Sequence, residues 1–255
     1  MRVTCALSWY DEPVDLLTQC VRRLAVIADR VVAFDGAYAR WPGARVRSPS
    51  EQADAITTAA VEAGLDSVVV LPDQLWAGQV EKRSALIARA AEGSDWVQVV
   101  DADHMLRGTR ETVRAALGTA DVYDLPFFTP ANAGVEAPHE WHAGMAGQTV
   151  TVPLLYRVLP GMQYERFHWW LSALKDGRRV WLMGNAPEGE HVPAVPFPDP
   201  TYRIDHMALY RDEAHRLADR AFCNDREMVV RLTGQEDDRP ELPRPEWDYA
   251  HMARG

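Results

Sequence analysis

Two aspartates one residue apart, Asp101 and Asp103, close an apolar run in the stretch WVQVVDADHML. A third acid, Asp35, ends another such run in RVVAFDG. Carboxylates gathered at strand ends can hold Mg²⁺ or Mn²⁺, and the cation can bridge them to a phosphate that they would otherwise repel. Taken alone, Asp-Ala-Asp is equally a solvated turn, because Asp is common in turns. The usual phosphate cradles are missing: the chain has no GxxxxGK[ST] loop and no GxGxxG after its first apolar run. GxSxG, the serine-hydrolase elbow, is absent too. An acidic rim without phosphate-binding glycines leaves a metal bridge as the simplest way to hold a diphosphate.

The elements that must position these acids follow from hydrophobic periodicity. RVTCALSW reads as a buried strand, VDLLTQCVRRLAVIA as an amphipathic helix, and DRVVAFDG as a second strand ending at Asp35. EQADAITTAAVEAG is a helix closed by Gly64, DSVVVLP a third strand, and AGQVEKRSALIARAAEG a helix stopped by Gly93. DWVQVVDAD is a fourth strand, and TRETVRAALGTA a helix with Thr109 as its expected cap. Alternating strands and helices with Val-rich strands predict βαβ units and a covered parallel sheet. Ligands bind such sheets outside the carboxyl ends of the strands, where Asp35, Asp101 and Asp103 all fall. Beyond about residue 120 the alternation stops. DVYDLPFFTP, QTVTVPLLYRVLP and RRVWLMG read as extended, partly antiparallel segments, and DEAHRLADRAFCNDREMVVRL as a last helix.

At 255 residues the chain is long enough to bury a large core, and 47% apolar with 25% charged residues matches a globular domain. The net charge of −10 argues against general nucleic-acid affinity. Three cysteines without CxxC spacing argue against a disulfide framework or a zinc site. No apolar run is long enough to span a membrane, and the opening MRVTCALSWYDEP lacks a signal-peptide core, which points to the cytoplasm. Nine tryptophans are present, and Trp76, Trp141, Trp169 and Trp170 sit among polar residues, as rings that stack on sugars or bases often do.

ALSWYDE after the first strand, VVAFDGAY at the second, and WAGQVEKRSALIARAAEGSDWVQVVDADHML resemble the nucleotide-sugar half of a GT-A-fold, family 2-like glycosyltransferase. LLYRVLPGMQYERFHWWLSA and YRIDHMALYRDEAHRLADRAFCNDRE are similar to that family's acceptor segment and its later histidine and basic-helix segment. The resemblance implies an α/β GT-A fold: a mostly parallel central sheet flanked by helices, a smaller mixed or antiparallel acceptor-side region, and a C-terminal helix. It implies one catalytic domain over 1–235, with a nucleotide-sugar half over 1–120, an acceptor-side half over 121–210 and the helix over 211–235. A polar, proline-rich tail over 236–255 follows.

The implied activity moves a sugar from a nucleotide-diphosphate donor to an acceptor hydroxyl, with inversion, aided by Mn²⁺ or Mg²⁺. By the same resemblance Asp103 coordinates the metal, Asp101 approaches the ribose or the metal, and His206 supplies a third metal or diphosphate contact. Asp35 meets the base, Ser8, Tyr10 and Glu12 line its pocket, and Lys82 and Arg83 lie near the base or diphosphate. The base that deprotonates the acceptor is open among Asp124, Glu140, Glu165 and His168, because relatives carry His-Glu where this chain has His168-Trp169. His104 adjoins Asp103 but is set aside, since neighbours on an extended strand point to opposite faces. The acceptor is a saccharide, a protein, a small metabolite or a hydroxylated DNA base, the last disfavoured by the net charge. Two rivals are a sugar-1-phosphate nucleotidyltransferase, whose glycine-rich basic loop SWYDEP lacks, and a catalytically silent binding module of the same fold.

Overall fold

A computed structural model describes residues 1–39, 41, 43–118, 120–131, 145–165, 170–184, 189–211, 213 and 216. In chain order the elements are β1 (Val3–Ser8), α1 (Val14–Leu24), β2 (Arg30–Phe34), α2 (Ser50–Glu62), β3 (Asp66–Val70), α3 (Gln79–Ala91) and β4 (Trp96–Asp101). Then come β5 (His104–Arg107), α4 (Arg110–Ala116), β6 (Val122–Phe128), β7 (Thr149–Arg157), β8 (Gln163–Tyr164), β9 (Leu171–Lys175) and β10 (Arg178–Met183). Two short strands, β11 (Glu190–His191) and β12 (Val195–Pro196), precede β13 (Arg203–His206) and a 3-10 turn at Ala208–Tyr210. Most of the expected final helix, the tail, Glu140 and His168 lie outside the described residues.

The protein is α/β. Its large sheet runs β3-β2-β1-β4-β7-β6-β13-β5, with β12 paired to β6. From β3 to β4 every pair is parallel, and β1 is buried at each position, as a strand covered on both faces must be. α1 turns Leu17, Cys20, Val21 and Leu24 inward at three- and four-residue spacing, and α2 packs against it. Gly64 takes a φ of +71° just past α2, where a left-handed residue ends the helix. α3 buries Lys82, Leu86, Ile87 and Ala90, so a lysine occupies a position of the apolar stripe. Right-handed crossovers put α1 and α2 on one face; the reversal of direction between β3 and β4 puts α3 on the other.

Beyond β4 the sheet is mixed, because β7 runs antiparallel to both β4 and β6. β13 and β12 nevertheless run parallel to β6, so parallel pairs remain the majority and the mixed part falls in the second half, as expected. β5, four residues long, was not foreseen. It follows β4 after Ala102 and Asp103 alone, yet β7, β6 and β13 stand between β4 and β5 in the sheet. Four strand spacings in a flat sheet measure about 19 Å. The chain from Asp101 to His104 spans at most about 10 Å. The sheet must curl to bring β5 round, and β5 packs against α1. β7 pairs with β4 only at Trp96, Val97 and Gln98, so the two strands part before Asp101.

A second, four-stranded sheet, β11-β10-β9-β8, docks on α3. Ser84 Oγ is bonded to the carbonyl oxygen of Tyr164 at 3.1 Å and to its N–H at 3.0 Å. Thr109 occupies the N-cap of α4 but makes no side-chain cap bond. No helix among the described residues is long and apolar enough to cross a membrane.

Candidate functional site

Strand order reverses between β1 and β4, and the crevice outside the carboxyl ends at such a point is where open α/β sheets bind ligands. The register pairs Ser8 with Asp101, so the two stand side by side at this crevice. Arg83 reaches across from α3 and donates two bonds from Nη2 to Asp101, to Oδ1 at 2.8 Å and Oδ2 at 3.0 Å. Burial works against ionisation of Asp101, but Arg83 outweighs it and keeps the carboxyl below its usual range.

Asp103 lies at the turn into β5 and is 2% exposed. Its Oδ2 is 3.2 Å from Nε2 of His206 and 3.3 Å from Nη1 of Arg211. Burial would raise its pKa, yet Arg211 and His206 together hold it well below the carboxylate range. Two backbone features bring these residues together. β13 pairs with β5 so that His206 faces His104, and the N–H of Met207 donates to the carbonyl of Asp103 at 2.8 Å.

One donor atom each from Asp103, His104 and His206 lies within 4.8 Å of the others. His104, set aside on strand alternation, therefore belongs to the cluster. The alternation fails because Ala102 and Asp103 form a turn, not strand. Its part differs from that of His206, however. The N–H of Asp101 donates to Nδ1 of His104 at 3.1 Å. A backbone N–H can only donate, so Nδ1 is the bare nitrogen and the neutral ring carries its proton on Nε2. Burial keeps the ring neutral, its pKa pushed down to about 4. Nε2 of His104 lies 3.9 Å from Asp103 Oδ1, beyond hydrogen-bond reach, and with its proton there His104 is a neighbour of the carboxylate and not a ligand. His206 has Nδ1 at 3.3 Å from Thr129 Oγ1 and Nε2 at 3.2 Å from Asp103 Oδ2; binding a metal at Nε2 means moving the ring proton to Nδ1, where Thr129 Oγ1 is able to accept from it. Ligand atoms about 2.1 Å from one cation sit roughly 3 Å apart at right angles. The 3.2 Å between Asp103 Oδ2 and His206 Nε2 fits such a cation; the carboxylate suits Mn²⁺ or Mg²⁺, and the imidazole a transition metal.

The other expected residues divide. Asp35 is 1% exposed and is tied to Ser48, accepting from its N–H at 2.8 Å and its hydroxyl at 2.5 Å. Lys82 is buried, donating to the carbonyls of Trp9 at 2.7 Å and Gly36 at 2.9 Å. It braces the ends of β1 and β2 instead of standing free for a diphosphate. Tyr10 accepts from the N–H of Arg45 at 2.8 Å. Trp76 donates to the carbonyl of Asp35 at 2.8 Å and stacks on Phe34, so it is a packing residue. Glu12 is 4% exposed and pairs with Arg211.

Two base candidates, Asp124 and Glu165, fall among the described residues. Asp124 is half-buried on β6, about 16 Å along the strand from Thr129; burial raises its pKa. Glu165, in the small sheet, is held by Ser172 Oγ at 2.7 Å, Gln163 Nε2 at 2.9 Å and Arg179 Nη1 at 3.1 Å. Burial opposes its ionisation, but these partners outweigh it and lower its pKa, which makes it a poor base. Arg211 was missed altogether. Its closeness to His206 in sequence was a usable signal, whereas its pairing with Glu12, 199 residues away, was not. Compared with known proteins, the chain matches no family model and no curated protein.

Proposed function

We propose that the protein is a metal-dependent glycosyltransferase of GT-A architecture, moving a sugar from a nucleotide-diphosphate donor to an acceptor hydroxyl. The observation that carries this is the Asp103–His206 pair, a carboxylate and an imidazole 3.2 Å apart at the ligand rim of the sheet. The parallel β3-β2-β1-β4 half, followed by antiparallel β7, supports the GT-A assignment. Asp103 and His206 would hold Mn²⁺ or Mg²⁺, which neutralises charge developing on the leaving diphosphate. Asp101, fixed by Arg83 and beside Ser8 at the crevice, orients the ribose. Asp35 and Ser48 shape the base end, and Lys82 keeps both strand ends in place. The base is one of Asp124, Glu140, Glu165 and His168, with the lowered pKa of Glu165 counting against it; it takes the acceptor proton as the sugar is transferred directly, with inversion. The acceptor is a hydroxyl compound met in the cytoplasm, and the net charge of −10 disfavours nucleic acid.

A thermal-shift panel of UDP-, GDP-, dTDP- and CDP-sugars, each with and without Mn²⁺, tests the proposal. One donor class should raise the melting temperature only with the metal, and Asp103→Asn should abolish the rise. His206→Ala should weaken Mn²⁺ binding far more than His104→Ala. Absence of any metal-dependent shift would refute the proposal. Binding without sugar transfer over long incubation would point to the silent module, and pyrophosphate release from a nucleoside triphosphate to the nucleotidyltransferase.

A further inference from the structure

Arg211 lies five positions beyond His206, just after the 3-10 turn at Ala208–Tyr210, and points back into the site. Its guanidinium spans two buried carboxylates. Nε donates to Glu12 Oε2 at 3.0 Å, Nη2 donates to Glu12 Oε1, and Nη1 lies 3.3 Å from Asp103 Oδ2. The same Asp103 oxygen faces His206 Nε2 at 3.2 Å. The side chains of Arg211, Glu12 and Asp103 are 12%, 4% and 2% exposed, so water screens these charges little.

From this geometry we infer that Arg211 is a built-in competitor for the metal. It neutralises Asp103 in the metal-free protein and must release it, withdrawing onto Glu12, for the cation to bind. The inference rests on the metal site proposed above and adds its control. A divalent cation held by Asp103 and His206 would place two positive groups on one carboxylate oxygen in a screened-off pocket, and the guanidinium already has a second acceptor in Glu12. Glu12 is therefore the resting place that makes release possible. Coupling of this kind is reciprocal, so whatever draws Arg211 from Asp103 tightens metal binding by the factor that the metal loosens Arg211. The segment following β13 thus carries both a ligand, His206, and the rival of the ligated metal.

Mn²⁺ titration followed by electron paramagnetic resonance, on the full chain without nucleotide, tests this. Arg211→Met should bind Mn²⁺ about tenfold more tightly than the wild type. Glu12→Gln should bind it more weakly, because the guanidinium then leans on Asp103. The double variant Glu12→Gln/Arg211→Met should keep the gain. Equal or weaker binding by Arg211→Met overturns the inference, as does loss of the gain in the double variant, which would mean that an unpaired Glu12 had become a ligand. If Arg211→Met does not fold, Glu12→Gln decides alone: unchanged or tighter binding overturns it. Wild-type binding that Asp103→Asn removes and Arg211→Met leaves unaltered defeats only the role of Arg211. No binding in either protein defeats the metal site as well.

Discussion

Lys82→Met should change how stability depends on pH, in a direction fixed by where the amine sits. The side chain is buried, and burial pushes its pKa down from 10.5 to about 7, with Asp35 opposing the shift only in part. Unfolded, the amine keeps its proton to about pH 10; folded, it loses it near pH 7. Between those limits the unfolded chain binds the additional proton, so raising the pH favours the folded state. Integrated from about pH 7 to about pH 9, this one group adds about 2 kcal/mol to wild-type stability. Methionine keeps the packing of the stem but titrates nothing, and it leaves the carbonyls of Trp9 and Gly36 without this donor. Urea unfolding of both proteins at several pH values isolates the effect as wild type minus variant. That difference should grow with pH across the window. A flat or falling difference would refute a proton-shedding buried lysine, whatever the offset between the two proteins.

Gly36→Ala should lower the melting temperature by about 5 °C or more. Gly36 has a φ of +103°, and a Cβ there would meet Pro72 Cγ at 2.6 Å and the carbonyl of Val46 at 2.9 Å; an unchanged melt would contradict that close approach. Asp101→Asn and Arg83→Met should each cost about 2 kcal/mol in urea unfolding, below the full cost of breaking a buried pair because Asp101 is one-third exposed. Their double variant should recover part of the loss, and strictly additive losses would show that the pair is not coupled.

The parallel half was legible because its strands are continuous apolar runs and its helices repeat at three and four residues, signals that survive without knowledge of neighbours. Asp101 and Asp103 were legible as acids closing such a run. Lys82 and Asp35 were placed correctly in sequence order, but their partners are backbone carbonyls and a serine whose approach depends on loops, which periodicity does not encode. His104 was misjudged because strand alternation was carried across a turn that two residues suffice to make. β5 was missed since four residues are too few to show a period. Glu12 and Arg211 meet only because the sheet curls, and nothing local in either segment announces the other. Asp124 and Glu165 had the right chemistry for a base; which side of the molecule they occupy follows from strand pairing, which composition does not reveal.

β13 has a consequence for how the protein is made. It inserts between β6 and β5, and its last residue, His206, meets a partner more than a hundred positions earlier. A nascent chain that has not yet reached Arg203 can pair β1 to β4 and bury most of its first core, and still lack the Asp103–His206 pair. Closing so long a loop is slow and must await β13, so folding order itself keeps the acidic rim incomplete until that strand has been made.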